Sequence, residues 1–166
     1  MSEELEPRVP GPVREAIAAD APLAEGLTLL LLTVRDDGWP HLAMLSVGEV
    51  VARDDTSLGL LLWPDSTATR NLLARGRGTL CAVVDGASWM LRLTVAEEPP
   101  VSSEHGTFRR FAATVVATLV DRAPYAELTS GVTFRLHDPD AVLPRWAATR
   151  QLIASPPTPT TEEHHD

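Results

Sequence analysis

The stretch LLWPDSTATRNLLARGRGTLCAVV, residues 61–84, passes from an apolar run through a hydroxyl cluster and a helical segment into a second apolar run. Asp65, Ser66 and Thr67 are all favoured at a helix N-cap, and Gly76 or Gly78 is suited to end the helix. The spacing predicts strand, helix (residues 66–75), strand. A helix start also offers free N–H groups and the positive end of the helix dipole, a seat for phosphate. Ser66 and Thr67 could add hydroxyl donors there, and Arg70 or Arg75 a countercharge. From these residues alone, the stretch reads either as a capped helix or as an anion seat.

Strand signals crowd around it. Residues 27–35, LTLLLLTVR, are too continuously apolar for a half-exposed strand and read as buried on both faces. DDG at 36–38 is hairpin chemistry, and residues 39–53 read as one long second strand with Pro40 near an end or edge. Residues 58–63 are a third strand and 79–84 a fourth. In a fifth, residues 88–98, the set Trp89, Leu91, Leu93 and Val95 alternates with Met90, Arg92 and Thr94 and reads as the core face. Residues 103–121 place Phe108, Phe111, Ala112, Val115, Val116 and Leu119 at helical spacing, and predict a helix. A sixth strand is expected over 131–137. A last helix follows from Asp138, with Pro144 expected to break it. Pro12 can open a short helix bearing Val13 and Ile17 on one side. The expected organisation is a flexible segment at 1–11, one domain at 12–154 and a disordered tail at 155–166. Six strands in consecutive hairpins give a mainly β, α+β chain: an antiparallel, closed or nearly closed barrel with flanking helices.

At 166 residues the chain is long enough for one domain with a proper core. It carries 14 basic and 23 acidic residues, a net charge of −9. There is no basic footprint, so no nucleic-acid or membrane partner is expected. The single cysteine, Cys81, permits no internal disulfide. With an acidic, Pro-rich beginning and no apolar run of membrane length, it leads us to expect a cytoplasmic protein. His41, His105, His137, His164 and His165 show no metal-ligand spacing, and no nucleophile motif, Walker A or G-x-G-x-x-G is present. The acid pairs at 36–37 and 54–55 are turn chemistry. Trp63, Trp89 and Trp146 could wall an aromatic ligand, although packing explains each of them.

The order of elements carries a likeness. A strand, DDG-x-P, a long strand, a short apolar strand, S-T-x-x-R-N-L and then T-L-C-A-V-V-D-G together resemble the pyridoxamine 5'-phosphate oxidase-like, FMN-binding split-barrel family. The resemblance implies a six-stranded split barrel. It further implies a homodimer that binds FMN, or in some branches a deazaflavin or haem, and acts as an oxidoreductase on a small molecule. By that likeness Met44, Leu45, Ser46 and Val47 would line the flavin ring, and Ser66, Thr67 and Arg70 the phosphate, with Arg92 as a further cation. Three positions that the flavin-dependent pattern fills with cations hold Ala43, Gly48 and Ala68 instead. Each charge-assisted bond to phosphate is worth about 1.5–3 kcal/mol, so their loss costs the phosphate dearly. The alternative is a ligand-binding or structural split-barrel dimer that has lost the flavin.

Overall fold

The computed structural model describes residues 1–23 and 26–155. A short strand β1 (Glu3–Leu5) and helix α1 (Gly11–Ala16) precede strands β2 (Leu29–Val34), β3 (Pro40–Leu45), β4 (Val50–Ala52) and β5 (Ser57–Leu62). Helix α2 (Thr67–Arg75) leads into β6 (Arg77–Val84), β7 (Ala87–Ser103) and β8 (Gly106–Asp121). Helix α3 (Pro139–Ala154) comes last.

All eight strands join one antiparallel sheet in the order β3-β2-β6-β7-β8-β5-β4, with β1 added to β8. The two ends of that order, β3 and β4, are consecutive in the chain. Only residues 46–49 separate them, so the sheet must curl until its edges meet at this turn. That curl makes the barrel, and the turn marks its split. Inside lie Leu31, Leu45, Leu60, Leu80, Leu91, Leu93 and Phe111, all nearly or fully buried. A second cluster, Val51, Leu61, Phe108 and Ile153, lies between the outer face of β4, β5 and β8 and helix α3. Among the described residues, no helix is long and apolar enough to cross a membrane.

The class expected from the sequence holds, with eight strands in place of six. The expected second strand at 39–53 is two, β3 and β4, because Ser46 and Glu49 close a turn between them. Residues 103–121 form a strand, not a helix. On β8 the buried positions are Phe108 and Arg110, then Phe111, Ala113 and Val115, then Thr118 and Val120. The last slip has a cause. Arg92 pairs with Ala117 and Leu93 with Val115, so Val116 bulges out and the alternation changes phase. Two slips within a period-2 pattern produce spacings of three and four. β7 likewise runs on through Pro99 and Pro100, which a register shift between Glu98 and Val101 accommodates.

Residues 131–137 are irregular rather than a sixth strand. α3 runs unbroken through Pro144. The carbonyl of Asp140 loses its helical amide there, but Asp140 is exposed and water can serve it. Glu3–Leu5 pair with β8 inside the segment expected to be flexible. The tail expected at 155–166 lies outside the described residues beyond Ser155.

α3 is held to the barrel by arginines. Arg53 donates to both oxygens of Glu98 at 2.8 and 2.7 Å and also to the carbonyl of Ile153 at 3.2 and 3.1 Å. Arg110, only 4% exposed, donates Nε to the same carboxylate at 2.7 Å and a terminal nitrogen to the carbonyl of Ser155. The hydrogen bond from Arg53 is the largest influence on Glu98, ahead of the opposing effect of burial. Together with the charges of Arg53 and Arg110 it holds the carboxyl below its ordinary value of 4.5. A depressed carboxyl contributes stability that is present above its ordinary value and is lost as pH falls through the folded-state value. Glu98→Gln is therefore expected to cost about 2 kcal/mol near neutral pH. Its gap to the wild type closes as pH drops below the ordinary carboxylate value. Urea denaturation of both proteins at neutral pH and near pH 3 checks this, and a gap that stays constant is the contrary outcome.

Candidate functional site

The turn that closes the barrel also holds the chemistry. Ser46 donates its backbone N–H to Glu49 Oε2 at 2.7 Å and its hydroxyl to the same oxygen at 3.0 Å. Gly48 N–H donates to Ser46 Oγ at 3.3 Å, and Leu61 N–H to the Glu49 carbonyl at 3.0 Å. A carboxylate is thus fixed between the end of β3 and the start of β4. Burial pushes its pKa up, against the hydrogen bonds from Ser46 and the attraction of Arg145.

Glu49 lines a cavity of about 540 Å³, within the range typical of small-molecule sites. Met44, Leu45, Ser46 and Gly48 form the wall next to it, and Leu61, Trp63 and Phe108 a second wall. Thr28 before β2, the irregular segment at Val132–Phe134 and the α3 residues Arg145, Trp146 and Thr149 complete the lining. Trp63 packs on Phe108 with ring centroids 4.5 Å apart, and Phe134 meets Trp146 edge-on at 6.0 Å. Thr149 Oγ1 donates to the carbonyl of Gly48 at 2.7 Å, which ties α3 to the turn. Among the described residues, no cluster of His, Cys, Asp or Glu could hold a metal.

The residues expected to bind a flavin divide. Met44, Leu45 and Ser46 line the cavity; Val47 is fully buried and does not. Ser66, Thr67 and Arg70 also lie outside the lining, and their polar groups meet one another. Ser66 Oγ accepts from Thr69 N–H at 3.1 Å and donates to Thr69 Oγ1 at 2.9 Å, which in turn donates to the carbonyl of Trp63 at 2.8 Å. Arg70 turns back to the Asp65 carbonyl at 2.8 Å and the Thr67 hydroxyl at 3.1 Å. This is a helix cap with its arginine folded over it. Arg92 is exposed on β7. Trp89 is buried in the core, donating Nε1 to the Val84 carbonyl. His41 is half-buried on β3 and does not line the cavity, while burial pushes the Cys81 thiol up.

The three uncharged positions have packing reasons. Ala43 packs against the barrel core, and Ala68 is 2% exposed. A Cβ at Gly48 would lie 2.5 Å from the Trp146 ring, so no longer side chain fits there. The cavity is large enough to take a planar ring system beside Met44, Leu45 and Ser46. The residues that should hold an FMN phosphate do not fit the group. Sequence reasoning missed Glu49, Arg145, Phe108 and Phe134. Only Glu49 left a signal, as an acid beside Gly48 in a strand otherwise apolar at that end.

β3 is an edge strand, and with the loop before it presents Trp39, Leu42 and Met44, 72, 50 and 65% exposed. Such an apolar edge is uncommon on a protein that works alone.

No protein-family model matches the chain. The fold compares with the solved structure of a candidate pyridoxamine 5'-phosphate oxidase from Lactobacillus delbrueckii at a TM-score of 0.53. The match has 13% identity and covers 70% of this chain and 98% of that one. The architecture is that of the pyridoxamine 5'-phosphate oxidase-like split barrels. In sequence, the chain is 39% identical over 120 residues to the uncharacterized protein YclD of Bacillus subtilis (strain 168), covering 72% of this chain and 78% of YclD. It belongs to the same family as YclD.

Two substitutions check the site's construction. Gly48→Ala drives a methyl into Trp146 and should cost about 1–3 kcal/mol, with a changed Trp fluorescence spectrum. Ser66→Ala should cost about 1 kcal/mol as a lost cap and leave that spectrum unchanged. Equal stability of Gly48→Ala and wild type in chemical denaturation would contradict the packing described.

Proposed function

We propose that this chain is a cytoplasmic, homodimeric split barrel that binds a small planar molecule in the cavity between the β3–β4 turn and α3, without a tightly held flavin phosphate. The observation that carries this reading is the cavity itself. It has ring-walled, largely apolar sides with two convergent ionisable groups, and sits beside a helix start whose hydroxyls and arginine bond to each other. The exposed apolar edge at Leu42 and Met44 supports the dimer, and the lone cysteine supports a reducing compartment.

A second reading keeps the cofactor: a flavin-dependent oxidoreductase acting on a small molecule, with FMN, a deazaflavin or haem against β3. Met44, Leu45 and Ser46 favour it, because the residues expected to meet a flavin ring do line the cavity. In that case a flavin would supply the electron transfer, and the chain's part would be to orient the ring and exclude water.

The absorbance spectrum of the purified protein separates the two. We expect no flavin or haem band, and FMN binding no tighter than riboflavin binding in a titration. A yellow protein with stoichiometric FMN overturns the first reading. No thermal shift at millimolar FMN, deazaflavin or haem overturns the second. For the dimer, Met44→Glu with Leu42→Glu is expected to convert a dimer to monomers in sedimentation at micromolar concentration. A monomeric wild type is the contrary outcome.

A further inference from the structure

Among the cavity's lining residues, only Glu49 and Arg145 are ionisable. The other arginines around α3 use their donors: Arg53 and Arg110 on Glu98 and on helix carbonyls, Arg150 on the carbonyls of Ala18 and Ala21. Arg145 is half-buried and donates no hydrogen bond among the described residues. A guanidinium carries five N–H donors; those of Arg145 are not buried, so they are open to water, and a ligand that displaces that water must bring the acceptor. On Glu49, Oε2 takes both bonds from Ser46, and Oε1 accepts none among the described residues. The site therefore offers a guanidinium that attracts Glu49 but donates no hydrogen bond among the described residues, and one carboxylate oxygen that accepts none, with two aromatic pairs, Trp63–Phe108 and Phe134–Trp146, as walls.

We infer that this cavity recognises a planar aromatic monoanion that also bears a hydrogen-bond donor, the anionic group meeting Arg145 and the donor meeting Glu49. This rests on the small-molecule reading above and names its ligand class. A carboxylate matches the flat guanidinium fork in a bidentate pair. A dianion such as a phosphate monoester is disfavoured, because the second negative charge has no second cation and lies near the acid. Aromatic walls suit an aromatic ring, and the volume suits one of two fused rings.

Calorimetric titration with three probes on the full chain tests it. 2-Naphthol carries a donor and no anion, 2-naphthoate an anion and no donor, and 6-hydroxy-2-naphthoate both. The expected order of affinity is the hydroxynaphthoate first, then the naphthoate at least about tenfold tighter than the naphthol, as one charge-assisted bond provides. Arg145→Gln should erase the preference for the anions, so that naphthol and naphthoate bind alike, while Arg145→Lys keeps part of it. Naphthol and naphthoate binding equally to the wild type, or Arg145→Gln keeping the preference, overturns the ligand class while the cavity reading stands. Failure of all three probes to bind overturns both. If Arg145→Gln does not fold, the wild-type probe order and Arg145→Lys decide.

Discussion

The carboxylate of Glu98 between Arg53 and Arg110 is the contact on which the rest depends. A helix ends in carbonyls without amide partners and in the negative end of its dipole. On α3 those carbonyls, at Ile153 and Ser155, receive the same two guanidinium groups that Glu98 neutralises. At the other side, Arg150 grips the carbonyls of Ala18 and Ala21. With three arginines fixing its last turns, α3 lies across β4 and β5. There Trp146, Arg145 and Thr149 become one wall of the cavity. The apolar contact beneath it, around Ile153, is small by comparison with the barrel core.

The sequence made legible those elements whose local chemistry agreed with their place in the fold. β2 shows as an unbroken apolar run, but only one of its faces is buried, not both as expected: Leu29, Leu31 and Thr33 face the core, while Leu30 and Leu32 are half-buried and Val34 is exposed. α2 shows by its cap, and the β7 face by clean alternation at Trp89, Leu91 and Leu93. β8 did not show. It is buried on one face by the barrel and on the other by α3, so Arg110 and Phe111 are both core residues. A bulge at Val116 then shifts its phase. A strand of that kind has no period of two over its whole length. The charged Arg110 gave no hint of burial, because its partner Glu98 is on another strand.

The candidate site was half legible, for a related reason. Met44, Leu45 and Ser46 were found through the likeness of the strand order. Glu49 and Arg145 were not, since one closes a barrel turn and the other sits on a helix whose docking depends on distant arginines. The hydroxyl cluster at Ser66 was legible as chemistry, and the two readings of it needed geometry. The hydrogen bonds from Ser66 to Thr69 and from Thr69 to Trp63 make it a cap that also fixes the chain just after the cavity wall.

The missing cations and the docked helix are two sides of one arrangement. At Gly48 and Gly59 α3 packs directly on the sheet. A Cβ would stand 2.5 Å from the Trp146 ring at the first and would run into the Ile153 side chain at the second. A lysine or arginine at position 48 would lift α3, part Thr149 from the Gly48 carbonyl and open the cavity. With α3 seated, position 48 must stay bare. Arg145, one residue before Trp146 on the same turn of α3, lines the cavity at this end of the barrel, where the strand itself carries no cation.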